Sequence, residues 1–110
     1  MRTFKTVLSL LVVLALAACN KPLPADRAAY AGQWSGAQVS LIITQDGMVD
    51  YKTVDGGVNK SINAPIKEFS GNDMVVGVGP MSTTFVIASP PHRVGEAWKM
   101  TVDGVELTKN

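Results

Sequence analysis

A chain of 110 residues, 46% of them hydrophobic and 17% charged, is too short for two domains and too apolar for a disordered tail. Its formal net charge is +1, and setting Arg2 and Lys5 aside with the leader leaves eight basic residues against nine acidic ones. That balance gives no electrostatic reason to expect a nucleic-acid partner or an acidic substrate.

The N-terminus opens with Met1-Arg2-Thr3-Phe4-Lys5, followed by an apolar run from Thr6 to Ala18 and then Cys19. A short basic region, an apolar stretch and small residues before the cut make a secretory signal peptide. The run of 13 residues is stopped by Asn20 and Lys21 and is shorter than the roughly 20 that a membrane-spanning helix needs. Leu16-Ala17-Ala18-Cys19 resembles the lipobox of bacterial lipoproteins. The resemblance implies a diacylglyceryl group on the Cys19 sulfur and removal of residues 1–18 by signal peptidase II. It also implies acylation of the new amino group. Two or three acyl chains hold firmly, whereas one gives only reversible membrane binding. Asn20, in place of the aspartate that marks inner-membrane retention in enteric bacteria, implies the periplasmic face of the outer membrane, with the inner membrane as the alternative. Cys19 is the single cysteine, so no disulfide forms within the chain.

Residues 19–27 read as a lipidated tether stiffened by Pro22 and Pro24, and residues 28–110 as a small β domain. A domain of this size buries only about 60–65% of the surface its unfolded chain exposes, so its core is modest. Asp26 is placed to cap a brief helical turn through Arg27–Tyr30. From Gly32 onward, short strands alternate with turn residues. Gln33–Ala37 and Gln38–Thr44 form one long or broken segment. Asp46-Gly47 makes a hairpin turn into Met48–Val54, and Asp55-Gly56-Gly57 turns the chain into Val58–Asn63, a polar edge strand. Pro65 keeps Ile66–Phe69 short or irregular. Ser70–Asp73 leads into Met74–Val78, and Thr83–Ala88 follows.

Ser89–Glu96 is expected to be the longest loop, stiffened by Pro90-Pro91. Ala97–Val102 and a last strand carrying Val105 and Leu107 meet across Asp103-Gly104. The fold class is all-β: an antiparallel meander of seven to eight strands forming a barrel-like or strongly curved sheet. Alternation predicts a core of Trp34, Leu41, Ile43, Tyr51, Phe85, Ile87, Trp98, Met100 and Leu107.

Gly32-Gln33-Trp34, just after the helical turn, resembles the Gly-x-Trp signature of lipocalins and related calycin barrels. The resemblance implies that Trp34 packs across the bottom of a small barrel and helps close it. The domain is much shorter than a lipocalin, which leaves little room for a large ligand cavity.

No motif here carries catalysis. Gly77-Val78-Gly79 has no following helix and no third glycine, and it marks a bend rather than a nucleotide loop. His92 is the single histidine and lacks partners for a metal site. Asp46, Asp50 and Asp55 do not have calcium-loop spacing. There is no nucleophile elbow and no Cys/His pair. The expectation is a non-enzymatic binding or accessory module of the cell envelope, without cofactor or metal, that contacts an envelope protein. Its working surface is an exposed edge, either Val58–Asn63 or the segment with Pro90, Pro91, His92 and Arg93. The alternatives are a periplasmic inhibitor of a hydrolase (lysozyme or protease) and a carrier of a small apolar ligand. The known lipoprotein inhibitors rely on a cysteine pair that this chain lacks.

Overall fold

The computed structural model describes residues 22–110, so the leader and Cys19 lie outside the described residues. A 3-10 helix, η1 (Ala25–Tyr30), precedes β1 (Gly32–Gly36), β2 (Val39–Ile43), β3 (Met48–Asp55), β4 (Val58–Ser70) and β5 (Asp73–Val78). β6 (Met81–Phe85), β7 (Ile87–Val94), β8 (Ala97–Val102) and β9 (Val105–Lys109) complete the domain. Among the described residues the nine strands pair antiparallel and form one curled sheet in the order β6-β5-β4-β3-β2-β1-β9-β8-β7. The all-β, barrel-like meander is therefore what the chain adopts. Its first strand is zipped to its last, with Trp34 opposite Lys109 and Ser35 opposite Thr108.

The turns follow from residues that tolerate left-handed backbone. Gly56-Gly57 and Asp103-Gly104 each form a two-residue hairpin loop with positive φ at both positions, the geometry whose twist matches the flanking strands. Between β1 and β2 the turn is Ala37-Gln38, with Gln38 at φ 60°. This breaks 33–44 into two strands where the sequence carries no turn signal. Gly77 is demanded by contact as well: a Cβ there would overlap the Met81 carbonyl oxygen of the neighbouring strand.

Three expectations are corrected. Ser89–Glu96 is not a loop, because residues up to Val94 belong to β7, the outermost strand on one side. Pro90 and Pro91 fit there because register shifts against β8 between Ile87 and His92 take up both, and an outer strand loses little by lacking N–H donors. Pro65 does not interrupt the chain either. β4 runs through it for 13 residues, pairing with β3 as far as Pro65 and with β5 from Ile66 onward. Finally, Asp26 does not cap η1. The capping position is Pro24 without a side-chain bond, and Asp26 instead pairs with Arg27 at 3.1 Å.

The core is filled by Trp34, Phe85, Leu41, Ile43, Met74, Met100, Leu107, Val49 and Val76, all essentially inaccessible. Of the expected core, Tyr51 and Trp98 are only half-buried and pack against the inaccessible cluster from its rim. Trp34 anchors the helix end of the domain. Its indole N–H donates to Tyr30 O at 2.9 Å, and the Lys109 ammonium sits 5.0 Å from its ring and 5.5 Å from that of Trp98. Burial lowers the pKa of Lys109, while two aromatic faces and the Ala29 carbonyl oxygen at 3.1 Å offset part of that desolvation.

Candidate functional site

The change of partner along β4 creates the site. Val58–Ala64 is bonded to β3 on one side, while β5 joins the other side only from Ile66 onward. Ile66 N–H donates to Gly47 O, on the β3 side, at 2.8 Å. Because backbone groups alternate in direction along a strand, Asn59, Ser61 and Asn63 present their N–H and C=O groups to the open side. Pro65 shares that parity, so its missing donor costs no ladder bond. The expected edge at Val58–Asn63 is thus half of an inner strand, open along one side.

Across this gap stands the β5–β6 hairpin, whose turn is Gly79-Pro80 between the paired residues Val78 and Met81. The hairpin and Ser61–Ala64 enclose an open groove of about 690 Å³, lined in part by Ile62, Ala64, Val76, Val78 and Met81. Alternation puts Val76 in the core and carries the same face outward to Val78. Val78 is 67% exposed and Met81 75% exposed, with Val58 at 68% on the opposite hairpin. Large apolar residues at two neighbouring hairpin tips have no role in the core. On β3, Tyr51 stands opposite Ile62 in the ladder, and its ring tilts against Phe85 with 4.9 Å between centroids. Burial, and secondarily Asp103, raise the Tyr51 pKa, so the phenol keeps its proton above its ordinary value of 10.0. From β4, Lys67 Nζ donates to Gly79 O at 2.6 Å and ties down the hairpin turn.

Pro90, Pro91, His92 and Arg93 lie on β7 and do not join this groove. His92 is exposed, with Nδ1 2.9 Å from Pro90 O, and Arg93 stacks over Trp98 at 5.9 Å. Among the described residues, no group of three His, Cys, Asp or Glu side chains is placed to hold a metal ion. Strands were expected at Met74–Val78 and Thr83–Ala88, but the place of the β5–β6 hairpin tip beside a groove escaped sequence reasoning. Its signal was available in Val78-Gly79-Pro80-Met81, where a tight turn is flanked by apolar residues instead of polar ones.

A smaller groove of about 300 Å³ lies where Pro22, Leu23 and Pro24 run against Ile66–Phe69. Leu23 is half-buried against the core, and its N–H donates to Gln45 O at 2.9 Å. η1 continues from it: Arg27 donates to Gly71 O at 2.7 Å and stacks over Phe69, and the Tyr30 hydroxyl donates to Asn72 O at 2.9 Å. No protein-family model, curated protein or solved structure matches this chain.

Proposed function

We propose that the protein is a cell-envelope lipoprotein, held by lipid on Cys19 at the periplasmic face of the outer membrane, that acts as a non-enzymatic binding module. The groove between β4 and the β5–β6 hairpin is its binding site, and the ligand is an extended segment of another envelope protein. The supporting observation is the open side of Val58–Ala64, which faces an apolar groove. A strand added there would gain backbone bonds from Asn59, Ser61 and Asn63, and every second side chain would enter the groove beside Val78 and Met81.

The test is co-purification of the full chain from detergent-solubilised envelope, comparing wild type with Ser61→Pro and Met81→Ser. Proline at Ser61 removes an outward N–H while leaving the bonds to β3 intact. A partner retained by wild type and lost by both variants supports the reading, and undiminished recovery with Ser61→Pro would overturn it. Recovery of a hydrolase whose activity falls on binding would make the protein an inhibitor.

The groove volume also falls within the roughly 300–1,000 Å³ of small-molecule sites, which favours a second reading as a carrier of a small apolar ligand. An apolar fluorescent probe that binds wild type, is displaced by a groove ligand and ignores Ser61→Pro would favour the carrier.

A further inference from the structure

Pro22-Leu23-Pro24 is not a free leash. Two prolines restrict its backbone, Leu23 packs against the core, and its N–H is bonded to Gln45 O. The domain therefore begins, mechanically, at Pro22. Between the anchoring Cys19 and Pro22 stand only Asn20 and Lys21, and three extended residue steps reach at most about 11 Å. The docked segment sits at one end of the domain, beside η1, the β2–β3 turn at Gln45 and the β4–β5 turn at Gly71-Asn72.

Both hairpins that flank the groove run away from that end. β3 spans eight residues from Met48 to the turn at Gly56-Gly57, about 24 Å at strand rise. β5 carries the chain from the turn tied to Tyr30 out to Gly79-Pro80 over six residues, about 17 Å. The exposed apolar tips, Val58, Val78 and Met81, thus stand farther from the docked segment than the anchor can reach.

Building on the reading of Cys19 as a lipidated N-terminus, we infer that the docked tether seats the η1 end of the domain on the bilayer and turns the groove toward the aqueous side. Its occupant is then an extended polypeptide segment arriving from the periplasm, not a lipid and not the protein's own tether. The short reach matters for a further reason. A flexible linker of even a dozen residues would let either end of the domain face the membrane, whereas a docked one couples the orientation of the domain to that of its anchor.

The experiment uses the full chain expressed with its own leader, extracted in detergent and reconstituted into phospholipid vesicles carrying a headgroup nitroxide quencher. A fluorophore is attached through a clickable residue replacing either Gln45 or Lys60, both exposed and at opposite ends of β3 and its hairpin. The label at Gln45 is expected to lose most of its emission and the label at Lys60 little. Replacing Pro22, Leu23 and Pro24 together by glycine is expected to abolish that difference while leaving the far-ultraviolet circular dichroism of the sheet unchanged. Equal quenching at the two positions, stronger quenching at Lys60, or a difference that survives the triple glycine variant would overturn the inference. So would self-quenching confined to Lys60 labels, which would put a second copy in the groove. Mass spectrometry of the extracted protein keeps the two readings apart. A chain without fatty acid refutes the anchor itself, whereas a lipidated chain with equal quenching refutes only the orientation.

Discussion

Asp103 and Val86 grip each other through both of their backbone-directed groups: Val86 N–H donates to Asp103 Oδ1 at 2.8 Å, and Asp103 N–H donates to Val86 O at 2.8 Å. Val86 is the one residue between β6 and β7, the two outermost strands of the sheet. At this corner the chain leaves one ladder and enters another, so its backbone groups have no strand partner. Asp103 supplies two of the missing bonds, and Asp73 Oδ1 accepts a third from Ile87 N–H at 2.8 Å. The curled sheet is thus fastened at its seam by carboxylates. Asp103→Ala should cost about 1–3 kcal/mol in urea denaturation, from the lost acceptor and because alanine tolerates the left-handed backbone at φ 48° less well than aspartate. Asp103→Asn keeps a carbonyl oxygen and tolerates that φ, so it should cost about 1 kcal/mol or less. Equal losses for the two variants would show that the carboxylate's charge, and not its acceptor geometry, matters at the corner.

Phe85 and Trp98 were equal members of the expected core, and the structure separates them. Phe85 is 1% exposed and Trp98 is half-buried. Phe85→Ala should cost about 3–5 kcal/mol, enough to unfold much of a domain this small. Trp98→Ala should cost roughly half as much, since only part of its surface leaves water on folding. Thermal melts that ranked the two in the opposite order would contradict this assignment of core and rim.

Alkaline pH should loosen the helix end. Burial raises the Tyr30 pKa above its ordinary 10.0, with Arg27 opposing and Asp73 and Asp26 adding smaller effects. The phenol that donates to Asn72 O therefore holds its proton in the folded state after the unfolded chain has lost it. Stability from this group is complete below pH 10.0 and is lost as pH rises through the raised folded value. Lys109 acts in the opposite sense. Its lowered folded pKa makes the unfolded chain bind more protons, so its contribution rises with pH up to its unfolded value of 10.5. Above that value only the loss remains. Melting temperatures measured from pH 9 to 12 should fall most steeply above 10.5, and Tyr30→Phe should flatten the fall.

Cys19→Ser should leave a full-length precursor in the cell, without incorporation of a fatty-acid analogue, because signal peptidase II acts on the diacylglyceryl-cysteine. Labelling of the variant at wild-type level would remove the lipobox reading.

Much of the sheet was legible in the sequence because its turns are built from residues with one physical purpose. Gly56-Gly57 and Asp103-Gly104 announce positive φ, and the alternation of Phe85 and Ile87 with Thr84 and Val86 places the buried face. What escaped was set by position in the finished sheet. Pro90-Pro91 reads as a loop unless it is known that the segment lies outermost, where absent donors cost little. Gln38 carries no turn chemistry, and its left-handed backbone is imposed by the pairing of Gly36 with Val39. Asp73 and Asp103 look like ordinary turn residues, and their service to Val86 and Ile87 depends on contacts formed across the seam. The groove was half legible. The polar character of Val58–Asn63 betrayed an unpaired side, but nothing local reveals that β5 joins β4 only from Ile66.

The pairing of β1 with β9 has a consequence for the order in which this protein is made. Trp34 meets Lys109, so the strand that opens the domain waits for nearly the last residue of the chain. Loop closure over that separation is among the costliest steps of forming the sheet. During synthesis the earlier meander hairpins can form and dissolve, but the seam that holds Trp34, Lys109 and η1 together is completed only after Thr108 and Lys109 have been made.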